Sequence, residues 1–197
     1  MSVQASAVTL IAARYDDSIE LYFQLPSQDL EKVFKKIPEG LLDQEGYVDL
    51  HRLQKDTVTP SNLLLKHMGV SSSGGPAVLE GMSFMTHPSN TVLPFETPWD
   101  AITTTTFCSA DPNGPKMTLE QMTTYSSAYT DELPHIGAIS LTLPVTEPTE
   151  IFVREFVDGR EVSVYTTEMT IDGRITLFSY QESTSFVGNF LRRFGLQ

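Results

Sequence analysis

Apolar and polar residues alternate over residues 7–25: Val8, Leu10 and Ala12 fall on one side, and after Arg14-Tyr15-Asp16-Asp17-Ser18 the pattern resumes with Ile19, Leu21, Phe23 and Leu25. A period of two belongs to a half-buried strand, so the pattern predicts a β-hairpin with one buried face. After Pro26 the period changes. Leu30, Val33, Phe34 and Ile37 recur at helical spacing, Ser27 can cap, Asp29 and Glu31 suit the positive end of the helix dipole, and Lys35 and Lys36 suit its negative end. This predicts a helix over 28–37, stopped by Pro38-Glu39-Gly40. Residues 41–58 fit neither period. Thr59 as cap and Pro60 at the first helical position predict a short helix to Met68, ended by Gly69.

Ser71-Ser72-Ser73-Gly74-Gly75-Pro76 reads as a flexible loop inside a single domain spanning 1–197, because the residues before it would make only a marginal core. Residues 77–86 read as a strand. Residues 101–109 read as another, since four consecutive threonines followed by Phe107 suit a pleated surface. A turn at Asp111-Pro112-Asn113-Gly114-Pro115 follows. Residues 117–130 fit a return strand or a helix capped at Thr118, the strand being preferred, and Ile139, Leu141, Leu143 and Val145 share one face of a strand over 136–145.

Val157-Asp158-Gly159-Arg160 and Ile171-Asp172-Gly173-Arg174 place Asp-Gly between alternating segments, the strongest short-range sign of a two-residue hairpin. They predict a three-stranded meander over 149–157, 160–171 and 174–181. Its register sets Val157 opposite Arg160, Val153 opposite Val164, and Thr166 opposite Ile151 and Ser179, with Phe152, Tyr165 and Tyr180 as an aromatic ladder. Both faces of this ribbon are apolar, so each calls for cover. The last residues carry Phe186, Val187, Phe190, Leu191 and Phe194 at helical spacing beside Arg192 and Arg193, which predicts an amphipathic C-terminal helix. The expected fold is α+β, mostly antiparallel, with a few short helices, its sheets forming a sandwich or a barrel.

Charge narrows the function classes. Twenty-five acidic residues against thirteen basic ones give a net charge of −12, which repels nucleic-acid phosphates. Between Lys66 and Arg154 the only basic side chain is Lys116. A single cysteine, Cys108, excludes an intrachain disulfide framework, and with no recognisable secretory signal it points to an intracellular protein, in the cytoplasm or in a particle assembled inside the cell. No stretch is long and apolar enough for a transmembrane segment.

Catalytic signatures fail one by one. Phosphate-binding glycine loops and a G-x-S-x-G elbow are missing, and His51, His67, His87 and His135 have no metal-ligand spacing, so no metal or cofactor is expected. The leading expectation is a non-catalytic self-assembly or protein-interaction protein, such as a viral or phage structural subunit. Its contacts would come from Phe186, Phe190, Leu191 and Phe194. An alternative is a barrel or sandwich binding a small molecule, with or without catalysis. Phe152, Tyr165, Phe178 and Tyr180 would line its pocket, and Glu168, His87 and His135 would anchor the ligand. A third is an acidic regulatory or inhibitory protein.

Overall fold

The computed structural model describes residues 8–16, 18–107, 110–133 and 137–179. The N-terminal hairpin forms as expected: β1 (Val8–Arg14) pairs antiparallel with β2 (Ile19–Pro26), Leu10 opposite Phe23. Both of its faces are buried, however. Leu10, Leu21 and Phe23 join one core while Ile11, Ala13 and Tyr22 join a second, because β1 and β2 lie at the centre of a sheet covered on each side.

The first helix is shorter than its pattern. A 3-10 turn (Ser27–Asp29) leads into α1 (Leu30–Phe34), which ends where Lys35 takes a left-handed conformation, φ 58°. Phe34 packs edge-on against Phe23, ring centres 5.6 Å apart. Within the stretch of no clear period lies α2 (Leu50–Lys55), whose Arg52 N–H donates to the Asp49 carboxylate. Helix α3 (Val58–Leu65) starts before Thr59, because the Asp56 carboxylate accepts from Thr59 N–H and leaves Pro60 in the third helical position.

Residues 71–76 belong to a β-hairpin, β3 (Gly69–Ser72) with β4 (Gly75–Ala77), in which Gly75 supplies the positive φ that the tight turn requires. The strand read over 77–86 divides: Ala77 ends β4, and β5 covers Glu80–Pro88. Residues 101–106 of the strand predicted over 101–109 instead belong to a helix, α4 (Pro98–Thr106). Beyond the turn, a 3-10 segment (Leu119–Gln121) precedes β6 (Met122–Thr130), and then come β7 (Ile139–Thr142), β8 (Thr149–Val157), β9 (Arg160–Met169) and β10 (Ile175–Leu177).

Two mostly antiparallel sheets result, of order β5-β6-β2-β1-β8-β9 and β10-β7-β3-β4, and neither closes into a barrel. The β1–β8 pair is parallel. On the inner face of the larger sheet, Leu10, Leu21, Phe23, Phe84, Ile151 and Val153 merge with Val70, Leu141, Ile175 and Leu177 of the smaller sheet and with Leu30, Leu53 and Leu64 of the helices. On the outer face α4 and the loop before it close over Ile11, Ala13, Tyr22, Tyr125 and Phe156.

The predicted meander is a hairpin plus a strand that leaves. At the first bend Asp158 and Gly159 are both left-handed, φ 49° and 74°, and Val157 opposes Arg160 as expected. A bulge at Glu155/Phe156 then absorbs one residue of β9, so Val153 faces Tyr165 and Arg154 faces Val164, while Thr166 faces Phe152. The ladder is broken: the one-residue slip sends Tyr165 to the inner face and leaves Phe152 on the outer one. At the second bend Asp172 has φ 59° and Gly173 N–H donates to Thr170 O at 2.8 Å. With one left-handed residue instead of two, the chain leaves the plane, and β10 pairs with β7 across the core, Ile175 opposite Leu141.

Candidate functional site

Helix α4 is a weak helix by propensity, with four β-branched residues at its end, and local hydrogen bonds hold it. Thr97 caps it: the Thr97 hydroxyl accepts from Asp100 N–H at 3.2 Å, and the Asp100 carboxylate accepts from Thr97 N–H at 3.0 Å, with Pro98 in the first turn. The threonine hydroxyls donate back one turn, Thr103 to Trp99 O, Thr105 to Ala101 O and Thr106 to Ile102 O. A strand reading of 101–109 overlooks Thr97-Pro98-x-Asp100, a capping signature visible in the sequence.

The last carbonyls of a helix lack intrahelical donors. Here the sheet supplies them: Ser83 of β5 donates its hydroxyl to Thr105 O, and His87 Nε2 donates to Thr104 O at 2.9 Å. His87 is fully buried, edge-on to Tyr125 at 5.2 Å and stacked near Phe107 at 6.4 Å. Burial holds its imidazole below the ordinary histidine range, and the bond to Thr104 O offsets this only in part. Because the unfolded chain takes up a proton near pH 6.5 and the folded one does not, stability is fully present above that pH and is lost as the pH falls towards the lowered folded value. Urea unfolding at successive pH values should show that loss, with a slope of at most about 1.4 kcal/mol per pH unit, and His87→Gln should remove this component of the slope. An unchanged slope would assign the acid sensitivity elsewhere.

The buried side of α4 is Pro98, Ala101, Thr104 and Thr105. Its other side carries Trp99, the only tryptophan, 75% exposed, with Ile102 at 36%, and Phe107, just past the helix end, is 55% exposed. Residues 99, 102, 103 and 106 lie along one stripe. The helix therefore presents an aromatic, aliphatic and threonine surface to solvent, flanked by Glu96, whose side chain is 78% exposed, and by Asp100.

A second constellation lies inside the molecule. Glu155, 2% exposed, accepts from Phe178 N–H at 3.0 Å and from Tyr165 OH at 2.9 Å. Arg14, equally buried, donates to Gly137 O at 2.7 Å and lies 4.3 Å over the Phe178 ring. Burial pushes the Glu155 carboxyl above its ordinary range, while its two donors and the Arg14 charge pull the other way. Tyr165 is likewise raised, first by burial and then by Glu155. The cluster ties β10 and its neighbours to the larger sheet.

Two clefts open at the surface. One of about 440 Å³ lies between α3 and the β3–β4 hairpin, with Asn62, Leu63, Lys66, Val70 and Leu79 on its walls. Another of about 280 Å³ lies between residues 43–51 and 111–117, where Lys116 pairs with Asp43 at 3.2 Å and with Glu45. The Tyr47 N–H, before the Lys116 contact, holds the exposed Asp43 carboxyl below its ordinary range. Neither of these two clefts includes Glu155, His87 or Tyr165, groups whose titration burial shifts. Among the described residues no three His, Cys, Asp or Glu side chains are placed to hold a metal ion, and no helix is long and apolar enough to cross a membrane.

No family model and no curated protein matches this chain.

Of the pocket residues expected from sequence, Tyr165 and Phe178 meet around Glu155, whereas Phe152 is on the opposite face of the sheet and His87 is beneath α4. Glu168 is exposed on β9, opposite Glu150. Phe152, Tyr165, Phe178, Glu168 and His87 line neither cleft. His135, Tyr180, Cys108 and the expected interaction residues Phe186, Phe190, Leu191 and Phe194 lie outside the described residues. The exposed side of α4 and the burial of Arg14 and Glu155 were not singled out in the sequence.

Proposed function

We propose that this protein acts by binding protein, as a non-catalytic, self-associating subunit of the kind that builds a viral or phage particle or a comparable assembly, with α4 as its contact surface. One observation carries the reading: the sole tryptophan stands three-quarters exposed on a helix that capping and threonine hydrogen bonds hold rigid. Tryptophan is enriched among the residues that dominate interface energetics, and a preformed helix loses little conformational entropy when it docks. The burial-shifted Glu155, His87 and Tyr165 serve hydrogen bonds within the fold and stand apart from both clefts, which favours binding over catalysis.

Light scattering behind size-exclusion chromatography, over a wide concentration range, is expected to show association of the full chain and its loss in Ile102→Asp, a change that keeps Trp99 as a reporter. Trp99 emission should move to shorter wavelength as the wild type associates. A monomer at every concentration, with emission unmoved, would overturn self-association.

A further inference from the structure

The exposed side of α4 is apolar, and the chain carries a segment of matching chemistry. Resting on the reading of α4 as the contact surface, we infer that residues 186–194 of one copy dock on the Trp99–Ile102 stripe of another copy. Phe186, Val187, Phe190, Leu191 and Phe194 recur at helical spacing and give the segment one apolar face, complementary in length to a helix of nine residues.

Charge favours the same pairing. The segment contains Arg192 and Arg193, whereas α4 has acidic Asp100 in its first turn, no basic residue in its last turn, and Glu96 and Asp111 on either side of it in the sequence. Arg154, the cation described beside Glu96, binds Glu161 at 2.8 Å and reaches Glu96 only at 3.9 Å. An arginine pair entering beside the first turn of α4 therefore meets the Glu96 and Asp100 carboxylates.

Where the described chain ends favours a second copy over the same one. Phe178 is buried on the inner face of the larger sheet, bonded through its N–H to Glu155, and α4 covers the outer face. Packed layers are about 10 Å apart, so passing from the inner layer to α4 spans about 20 Å, with a detour around the end of the sheet. The seven steps from Ser179 to Phe186, fully extended, reach at most about 25 Å, little more than the direct span and too little for a wide detour. Docking on a neighbour removes that demand, and reciprocal exchange about a two-fold axis gives each copy one donated segment and one acceptor helix.

Complementation between full-length variants tests this. Ile102→Asp spoils the acceptor and keeps the donor, whereas Phe190→Asp spoils the donor and keeps the acceptor, Trp99 included. Each alone should raise the dissociation constant by about thirtyfold or more, the effect of losing a hot-spot contact, with far-UV circular dichroism checking that both remain folded. Mixing them should restore association and move Trp99 emission of the Phe190→Asp chain to shorter wavelength, one intact contact having formed between unlike copies. If the wild type is monomeric with shielded Trp99, and Phe190→Asp exposes it, the segment docks within its own chain and the inference is overturned. Association that survives Phe190→Asp but not Ile102→Asp also overturns it while leaving α4 as the contact surface. Association indifferent to Ile102→Asp removes the reading of α4 itself.

Discussion

Glu155→Ala is expected to cost about 1–3 kcal/mol of folding stability, the usual consequence of leaving a buried donor without its acceptor. The Phe178 N–H and the Tyr165 hydroxyl lose their shared acceptor. Tyr165 retains a weaker bond to Thr176 O at 3.2 Å, so the Phe178 amide carries most of the penalty. Tyr165→Phe removes one of the two bonds and should lose less. Because both changes act on the same carboxylate, the double variant should lose clearly less than the sum of the singles. Chemical denaturation of all four proteins measures the cycle, and additive effects or a Glu155→Ala loss below about 0.5 kcal/mol would mean that this cluster does not hold β10 to the larger sheet.

The second large effect is expected at Gly81, where α3 crosses β5. A Cβ built there falls 2.7 Å from Asn62 N, 2.8 Å from Ser61 Oγ and 2.9 Å from Ser61 Cβ, and the glycine N–H donates to Asn62 Oδ1 at 2.8 Å. The backbone atom cannot rotate away. Alanine must therefore push α3 off the sheet, weakening the buried bonds from Ser61 to Ser127 O at 2.8 Å and to the Ser126 hydroxyl at 3.2 Å. Overpacking of this kind costs about 1–3 kcal/mol, and valine should exceed alanine. Ser61→Gly in the Gly81→Ala background relieves the side-chain contacts but not the clash with Asn62 N, so rescue should be partial. Full stability in Gly81→Ala would show that α3 can shift freely.

How far the sequence reached depended on where the deciding forces lay. The hairpin Val8–Pro26 and the turn after Val157 were legible because alternation and an Asp-Gly pair are local properties of the chain. Helix α4 was misread because threonine propensity was weighed ahead of the Thr97–Asp100 capping box. The register of β9 was not legible: nothing local marks the bulge at Glu155/Phe156, which leaves Tyr165 on the inner face, donating to the buried Glu155. The flight of β10 to the smaller sheet was hidden for a related reason, since two identical Asp-Gly-Arg strings took different backbone conformations.

By itself the sequence determined an acidic, strand-rich α+β chain, its central hairpin and the pattern of its last apolar residues, all of which follow from side-chain chemistry read at short range. Only the tertiary structure decided which faces are dry, that Tyr165 and not Phe152 points inward, that His87 closes a helix from below, and that Trp99 is left in water. Those outcomes depend on contacts between residues far apart in the chain, where burial and hydrogen-bond satisfaction outweigh the preferences of any single segment.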